Sequence, residues 1–170
     1  MPITEFATFQ INTAITSDPL PTLFKRVQES QSSWSSYPVL FYSDVTRSSS
    51  SSTIYLISGW ESVAAHQKWI ESAENQELLK LFKPYLQITG FSHLTLDFNE
   101  FQKGVSSDPE GLLAVKNGQV QCDLGEPLWT GQGYDLEDDS GPLFQFAFYR
   151  GAEQATSKDG TLLMKRVPEF

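Results

Sequence analysis

Gly59-Trp60-Glu61-Ser62-Val63-Ala64-Ala65-His66-Gln67-Lys68-Trp69-Ile70 reads as a handover from strand to helix. Ser62 carries the short hydroxyl side chain that caps a helix N-terminus. Val63, His66, Trp69 and Ile70 then recur on overlapping helical faces. Upstream, Thr53-Ile54-Tyr55-Leu56-Ile57 is β-branched and aromatic, the composition of a strand. Downstream the helix pauses near Ser72. Asn75 to Leu86 places Leu78, Leu79, Leu81, Phe82 and Leu86 around Pro84, a second helical piece that bends or stops at the proline. Gly90 ends this piece, and Phe91 to Phe98 alternates as a strand.

Toward the N-terminus, residues 5 to 15 alternate, with Phe9, Ile11 and Ile15 on one side and Thr8, Gln10, Asn12 and Ala14 on the other. Asp18-Pro19-Leu20-Pro21 breaks that strand, and Leu20, Phe24, Val27 and Gln28 follow at helical spacing as far as Ser32-Ser33. Val39-Leu40-Phe41-Tyr42 is a further strand, joined to Thr53–Ile57 through Arg47 and the serine tract Ser48 to Ser52, a flexible connection. The order βαββαβ predicts an α+β fold: a ferredoxin-like antiparallel sheet over residues 1–101, covered on one face by helices.

After Phe101 the texture changes to Gly104, Ser106, Ser107, Asp108, Pro109 and Gly111. Leu112–Val115 and Gln119–Cys122 flank Asn117-Gly118, a strong hairpin signal. Leu143–Tyr149 and Thr161–Val167 are two more β-rich runs, and Tyr134–Ser140 is an acidic loop. Residues 102–170 therefore form a β-rich C-terminal extension. Having no clear helix, they are not expected to repeat the first unit.

The chain has 170 residues, enough for one ordinary domain, and its 39% hydrophobic content suffices for a packed core. With 21 acidic against 12 basic side chains the net charge of −9 repels phosphate backbones and anionic lipid, so neither nucleic acid nor membrane is an expected partner. Cys122 is the single cysteine, which excludes an intrachain disulfide and a thiolate metal cluster. Met1 to Phe6 lacks the basic start and apolar run of a secretion signal, no stretch approaches the ~18 apolar residues of a membrane span, and Val167 to Phe170 matches no lipidation or peroxisomal ending. A cytoplasmic protein is expected.

The Gly59–Ile70 segment, together with Gly90-Phe91-Ser92-His93-Leu94, resembles the dimeric α/β-barrel proteins of the antibiotic-biosynthesis-monooxygenase-like superfamily, most of all their fungal specialised-metabolism members. The resemblance spans residues 4 to 101. It rests on a strand ending in Trp-Glu-Ser, a helix carrying Ala-His and a closing strand carrying His. It implies two ferredoxin-like sheets packed face to face as a homodimer, each with a pocket between sheet and helices or inside the barrel. Such proteins include cofactor-independent oxygenases, haem-degrading enzymes, and cyclases or isomerases. The haem-degrading branch fits poorly, since Leu78 and Leu79 stand where its iron-binding helix histidine would follow Trp69.

If Phe9 and Ile11 face the helices, Gln10 and Asn12 face the open side. If Leu94, Leu96 and Phe98 face the helices, then Phe91, His93, Thr95 and Asp97 share that open side. Such a face is either wet, a dimer seam, or the edge of a cavity, which is the preferred reading. His93 is then the leading general acid or base, oriented by Asp97. His66 is a second candidate with packing as its alternative. Asn12 or a tyrosine hydroxyl would hold an enolate or phenolate oxygen, with Gln10 a further substrate contact on the same face, and Phe91, Tyr42, Tyr55, Trp60 and Trp69 offer surface for a flat ligand, although aromatic residues at such spacing are core by default. Metal-ligand spacing, a nucleophile elbow and a dinucleotide fingerprint are all missing, so no flavin, haem or metal is expected. Three functions follow. The first is a cofactor-independent cyclase, isomerase or dehydratase acting on an aromatic or polyketide-like molecule. The second is a cofactor-independent monooxygenase oxidising a phenol to a quinone. The third is a non-catalytic ligand-binding or dimerisation module. Arg26, Arg47, Arg150 and Arg166 fall off the proposed face, which favours the redox-neutral reading over the second.

Overall fold

The computed structural model describes residues 1–45, 53–138, 141, 143–151, 160–168 and 170. The serine tract 48–52, Arg47 and part of the acidic loop lie outside them. The chain runs β1 (Ile3–Ile11), α1 (Leu20–Ser35), β2 (Val39–Asp44), β3 (Thr53–Trp60), α2 (Val63–Ile70), α3 (Ala73–Phe82), β4 (Leu86–Leu94), α4 (Phe98–Val105), β5 (Leu112–Asn117), β6 (Trp129–Gly133), β7 (Phe144–Tyr149) and β8 (Leu162–Arg166). This is the expected α+β, ferredoxin-like architecture with β-rich residues after it.

Local chemistry sets the helix limits. Pro21 sits in the first turn of α1, where no backbone donor is needed. Ser36, at φ 67°, ends that helix and donates its N–H to the Ser32 carbonyl at 2.9 Å. The Ser62 and Ser72 side chains accept from the N–H groups of Ala65 and Asn75, which caps α2 and α3. The latter stops before Pro84, as predicted.

One antiparallel sheet contains all eight strands of the described residues, in the order β4-β1-β3-β2-β8-β5-β7-β6. Its two halves repeat one pattern. β1 lies between β4 and β3 with β2 outside; β5 lies between β8 and β7 with β6 outside. The repeat that the sequence hides is therefore present in strand topology. It escapes detection because the first half spans its crossovers with α1, α2 and α3, whereas the segment from β5 to β6 contains Gly118, Gly125 and Pro127 and builds no helix. The Asn117-Gly118 hairpin also gives way: β5 pairs with β7 and β8, and residues 119–122 form no strand with it. Gly118 still turns the chain at φ 100°, donating to the Leu143 carbonyl.

The sheet curls until its ends meet. β2 pairs with β8 through Tyr42 and Arg166. At the other seam Leu94 bridges Asp135, and Leu136 N–H donates to the His93 carbonyl at 2.7 Å. The barrel interior is packed with Phe6, Tyr42, Tyr55, Ile57, Leu94, Phe146, Phe148 and Met164, while α4 inserts Phe98, Phe101 and Val105 among them. The open face on which the homodimer was expected to form is thus filled by β5–β8 of the same chain. A second core, formed by Ala7, Ile11, Phe24, Phe41, Ile54, Leu56 and Phe82, lies between β1–β3 and the helices. All eight residues of β3 are buried because both faces of it are covered.

This double covering corrects the predicted faces. Leu94, Leu96 and Phe98 point into the barrel, and β4 ends at Leu94 instead of running through residues 95–98. Alternation identifies two faces but cannot say which meets the helices when both are apolar.

Candidate active site

The register across β4, β1, β3 and β2 aligns His93 with Glu5, Glu5 with Ser58, and Ser58 with Val39. Glu5 shares the face of Ala7, Phe9 and Ile11, which are directed at the helices. His93 therefore points toward the helices. There it meets His66, which α2 brings down onto the sheet.

These side chains form a buried polar file. Glu5 Oε2 accepts hydrogen bonds from Gln31 Nε2 (2.8 Å), Ser58 Oγ (2.7 Å) and Trp60 Nε1 (2.8 Å). Its Oε1 lies 3.7 Å from His66 Nε2, beyond hydrogen-bond range. His66 Nδ1 is 2.8 Å from His93 Nε2, and His93 Nδ1 is 3.0 Å from Glu137 Oε2. The His66 ring lies flat against Trp60, with centroids 4.3 Å apart and planes 16° apart. Glu5, His66 and His93 are 4%, 3% and 2% exposed. Burial is the main cause that holds the His66 pKa below its ordinary value; Glu5 opposes this, His93 adds to it, and Glu137 opposes it.

Beside this file a cavity of about 230 Å³ opens between the sheet and α1, α2 and α3. Ala7, Phe24, Trp69, Leu78, Phe82 and Phe91 are among its apolar walls, and Glu5, Gln31 and His66 form a polar end. Phe91, 40% exposed, stands at its edge. That volume lies below the ~300–1,000 Å³ of pockets for drug-sized ligands, so the cavity suits a small molecule. Among the described residues its one ionic wall is the Glu5 carboxylate, which disfavours anionic ligands.

Of the residues selected from sequence, the structure gathers His66, His93, Phe91, Trp60 and Trp69 at this end. The others are elsewhere. Asp97 caps α4, accepting from the Asn99 N–H, and lies outside the histidine file. Asn12 donates to the Pro84 carbonyl, and Gln10 accepts from Thr53 at the far end of β1. Tyr42 and Tyr55 are in the barrel core, the latter stacked on Phe6. Glu5, Gln31 and Glu137 were missed. Glu5 carried a usable signal, a carboxylate in phase with the apolar residues of β1. Glu137 carried none.

Solved structures share this fold at low identity. A candidate chlorite dismutase superposes with a TM-score of 0.60 at 10% identity, covering 99% of this chain and 96% of its own. A mutant chlorite dismutase from Candidatus Nitrospira defluvii, in complex with cyanide, gives 0.56 at 11% identity with coverages of 98% and 91%. A candidate monooxygenase from Lactobacillus acidophilus NCFM gives 0.55 at 9% identity, covering 97% and 93%. No family model matches the chain, and no curated protein matches it in sequence. The chain thus has the ferredoxin-like α/β-barrel fold of chlorite dismutase-like and monooxygenase-like proteins. No helix of the described residues is long and apolar enough to cross a membrane.

The resemblance drawn from sequence includes a haem-degrading branch, and the residues present decide whether haem fits. An axial ligand needs an imidazole nitrogen free to meet iron. His93 has both nitrogens engaged, with Glu137 and with His66, and the one unbonded nitrogen, His66 Nε2, belongs to a residue lining a cavity of about 230 Å³, too small for the macrocycle. A small cavity with an acidic end also opposes a macrocycle bearing anionic propionates. The site does not fit haem, and no step is derived through it.

Proposed function

We propose that the chain is a cofactor-independent enzyme that moves a proton on a small, neutral, largely apolar molecule of aromatic or polyketide-like type, leading to isomerisation, cyclisation or dehydration. The observation that carries this reading is His66 at the polar end of an apolar cavity. Its Nδ1 is engaged with His93, and its Nε2 makes no hydrogen bond. A neutral imidazole with a lone pair at the edge of an apolar pocket is a general base. The lowered pKa keeps it neutral at neutral pH.

His66 thus takes the central role that sequence reasoning gave to His93. A C–H beside a carbonyl, or a phenolic O–H, gives its proton to His66 Nε2. The imidazolium then faces both the new substrate anion and Glu5 Oε1, which stabilise its charge. Returning the proton to a different atom completes an isomerisation with no redox partner. The apolar walls position the ligand and exclude water.

A second reading is supported by the structural neighbour from Lactobacillus acidophilus NCFM, a candidate monooxygenase. The same deprotonation of a phenol yields a phenolate that reacts with dioxygen. One experiment separates these functions from simple binding. The purified chain is incubated in deuterated buffer with a panel of enolisable aromatic ketones and phenols, followed by NMR, mass spectrometry and an oxygen electrode. Deuterium incorporation with isomerised product and no oxygen uptake supports proton transfer. Oxygen uptake with quinone formation establishes the monooxygenase instead. Ligand-induced shifts in the protein spectrum without turnover leave a binding module.

A further inference from the structure

The geometry points to Glu137, on the segment after β6, as the solvent end of a proton relay running through His93 and His66 to the apolar cavity. The relay rests on the reading of His66 as the base. Glu137 presents a side chain that is 49% exposed, whereas those of His93 and His66 are 3% and 4% exposed. The carboxylate is where the buried pair meets water.

The hydrogen bonds also fix a direction. A carboxylate accepts, so His93 donates from Nδ1 to Glu137 Oε2 across 3.0 Å. His93 Nε2 is then an acceptor and takes the Nδ1 proton of His66 across 2.8 Å. His66, which lines the cavity, is left with its lone pair on Nε2, 3.7 Å from Glu5 Oε1. Glu137 therefore determines, two residues away, which nitrogen of His66 is the base. The groups facing His66 are Glu5 from β1, His93 from β4 and Glu137 beyond it, with neutral Trp60 stacked from β3 and Gln31 of α1 bonded to Glu5.

Backbone structure delivers this carboxylate. Asp135 bridges Leu94, Leu136 N–H donates to the His93 carbonyl, and Glu137 N–H donates to Asp135 Oδ1 at 3.0 Å. The segment that closes the barrel also brings Glu137 to the imidazole. The second half of the chain thus supplies part of the site.

In the forward direction the substrate proton goes to His66 Nε2, the His66 Nδ1 proton to His93 Nε2, the His93 Nδ1 proton to Glu137, and a proton from Glu137 to water. One proton leaves, no electrons change hands, and both rings finish as Nε2–H tautomers. Passage in reverse reprotonates the product and restores them.

The test needs no substrate. Long-range ¹H–¹⁵N spectra of the full chain at neutral pH report ring tautomers and the exchange of the His66 Nδ1 hydrogen with water. Both rings are expected as Nδ1–H tautomers. Glu137→Gln keeps a hydrogen-bond acceptor for His93 but cannot carry a proton, so exchange is expected to slow on the order of 100-fold, the lower end of what a positioned proton-transfer group contributes. His93→Gln should slow it similarly, with the amide spectrum reporting that the fold is retained. Exchange unchanged in Glu137→Gln, or a wild-type His66 in the Nε2–H form, overturns the relay. Glu137-dependent exchange without turnover of any tested compound counts against the enzyme reading alone. Turnover that needs His66 while exchange ignores Glu137 counts against the relay alone.

Discussion

Glu5 and His93 lie directly opposite each other on β1 and β4, and this pairing turns a strand histidine toward the helices instead of into the barrel. The neighbouring pair Thr4 and Leu94 points the other way, with Thr4 Oγ1 donating to the Leu96 carbonyl at 2.7 Å inside the barrel wall. A one-residue slip would exchange the two sets and dismantle the polar file. Polar residues on the helix face thus assemble a site, while those at the same level on the barrel face tie strands together.

The first prediction separates the two histidines. Only His66 borders the cavity, so His66→Gln should lower turnover of any substrate found by at least about 100-fold, the lower bound for a positioned base. His93→Gln should cost less, because His66 keeps its place and loses the route to Glu137. Steady-state kinetics on the two variants checks the order. A His93 effect larger than the His66 effect would return the central role to His93.

The second concerns pH and stability. His66 has its pKa lowered from 6.5 in the folded chain, chiefly by burial, with Glu5 and Glu137 opposing and His93 assisting. The unfolded imidazole therefore binds protons more readily than the folded one, so the unfolded state gains as pH falls. Stability from this group is full above about pH 6.5 and declines as pH drops through and below it. Thermal melts between pH 7.5 and about 5.5 should show a falling Tm in the wild type and a flatter profile in His66→Gln. Parallel profiles would remove His66 as the cause.

The strands, the proline-bounded helices and the ferredoxin-like order were legible because alternation, caps and turn residues act locally. α4 was missed although Phe98, Phe101 and Val105 have helical spacing; the Gly104 and Ser106-Ser107 that follow read as linker, and a helix this short depends on the barrel end it plugs. The orientation of His93 was not legible, since the face expected to be open is a second core. His66, His93 and the aromatic wall were visible as residue types. Glu137 reaches His93 across 44 sequence positions, through a seam that exists only once the sheet has closed.

Glu5 supplies the third prediction. Three donors converge on Oε2, and a hydrocarbon there would strand the N–H and O–H groups aimed at it, Gln31 keeping only its bond to Ser58 Oγ. Glu5→Leu should destabilise the chain by about 3 kcal/mol or more, at ~1–3 kcal/mol for each stranded donor. Glu5→Gln should be milder. Its carbonyl still accepts all three, and its amide nitrogen faces the His66 Nε2 lone pair. Losing the carboxylate charge removes an influence that raises the His66 pKa, which should fall further. Urea denaturation and histidine NMR titration measure the two effects. Equal stability losses in the two variants would mean that the hydrogen bonds to Oε2 do not govern this corner of the core.

The last prediction concerns the seam that carries Glu137. Gly133 ends β6, and a Cβ built on it would stand 2.7 Å from the Leu96 backbone nitrogen and 3.1 Å from Leu96 Cβ. Backbone cannot step aside as a side-chain tip can, so Gly133→Ala must push the segment after β6 away from residues 94–96. That displacement breaks the Leu94–Asp135 bridge, the Leu136 bond to the His93 carbonyl and the Glu137 bond to the His93 ring. Overpacking of this kind costs about 1–3 kcal/mol. The diagnostic effect is local: amide exchange at Leu136 and Thr95 should accelerate more than exchange in β3, which lies two strands from this seam. The His66 Nδ1 hydrogen should meanwhile exchange more slowly, because its path to water has been cut. Faster exchange at both places would mean that water enters the site directly once the seam opens, and that the carboxylate is not the route by which protons reach the cavity.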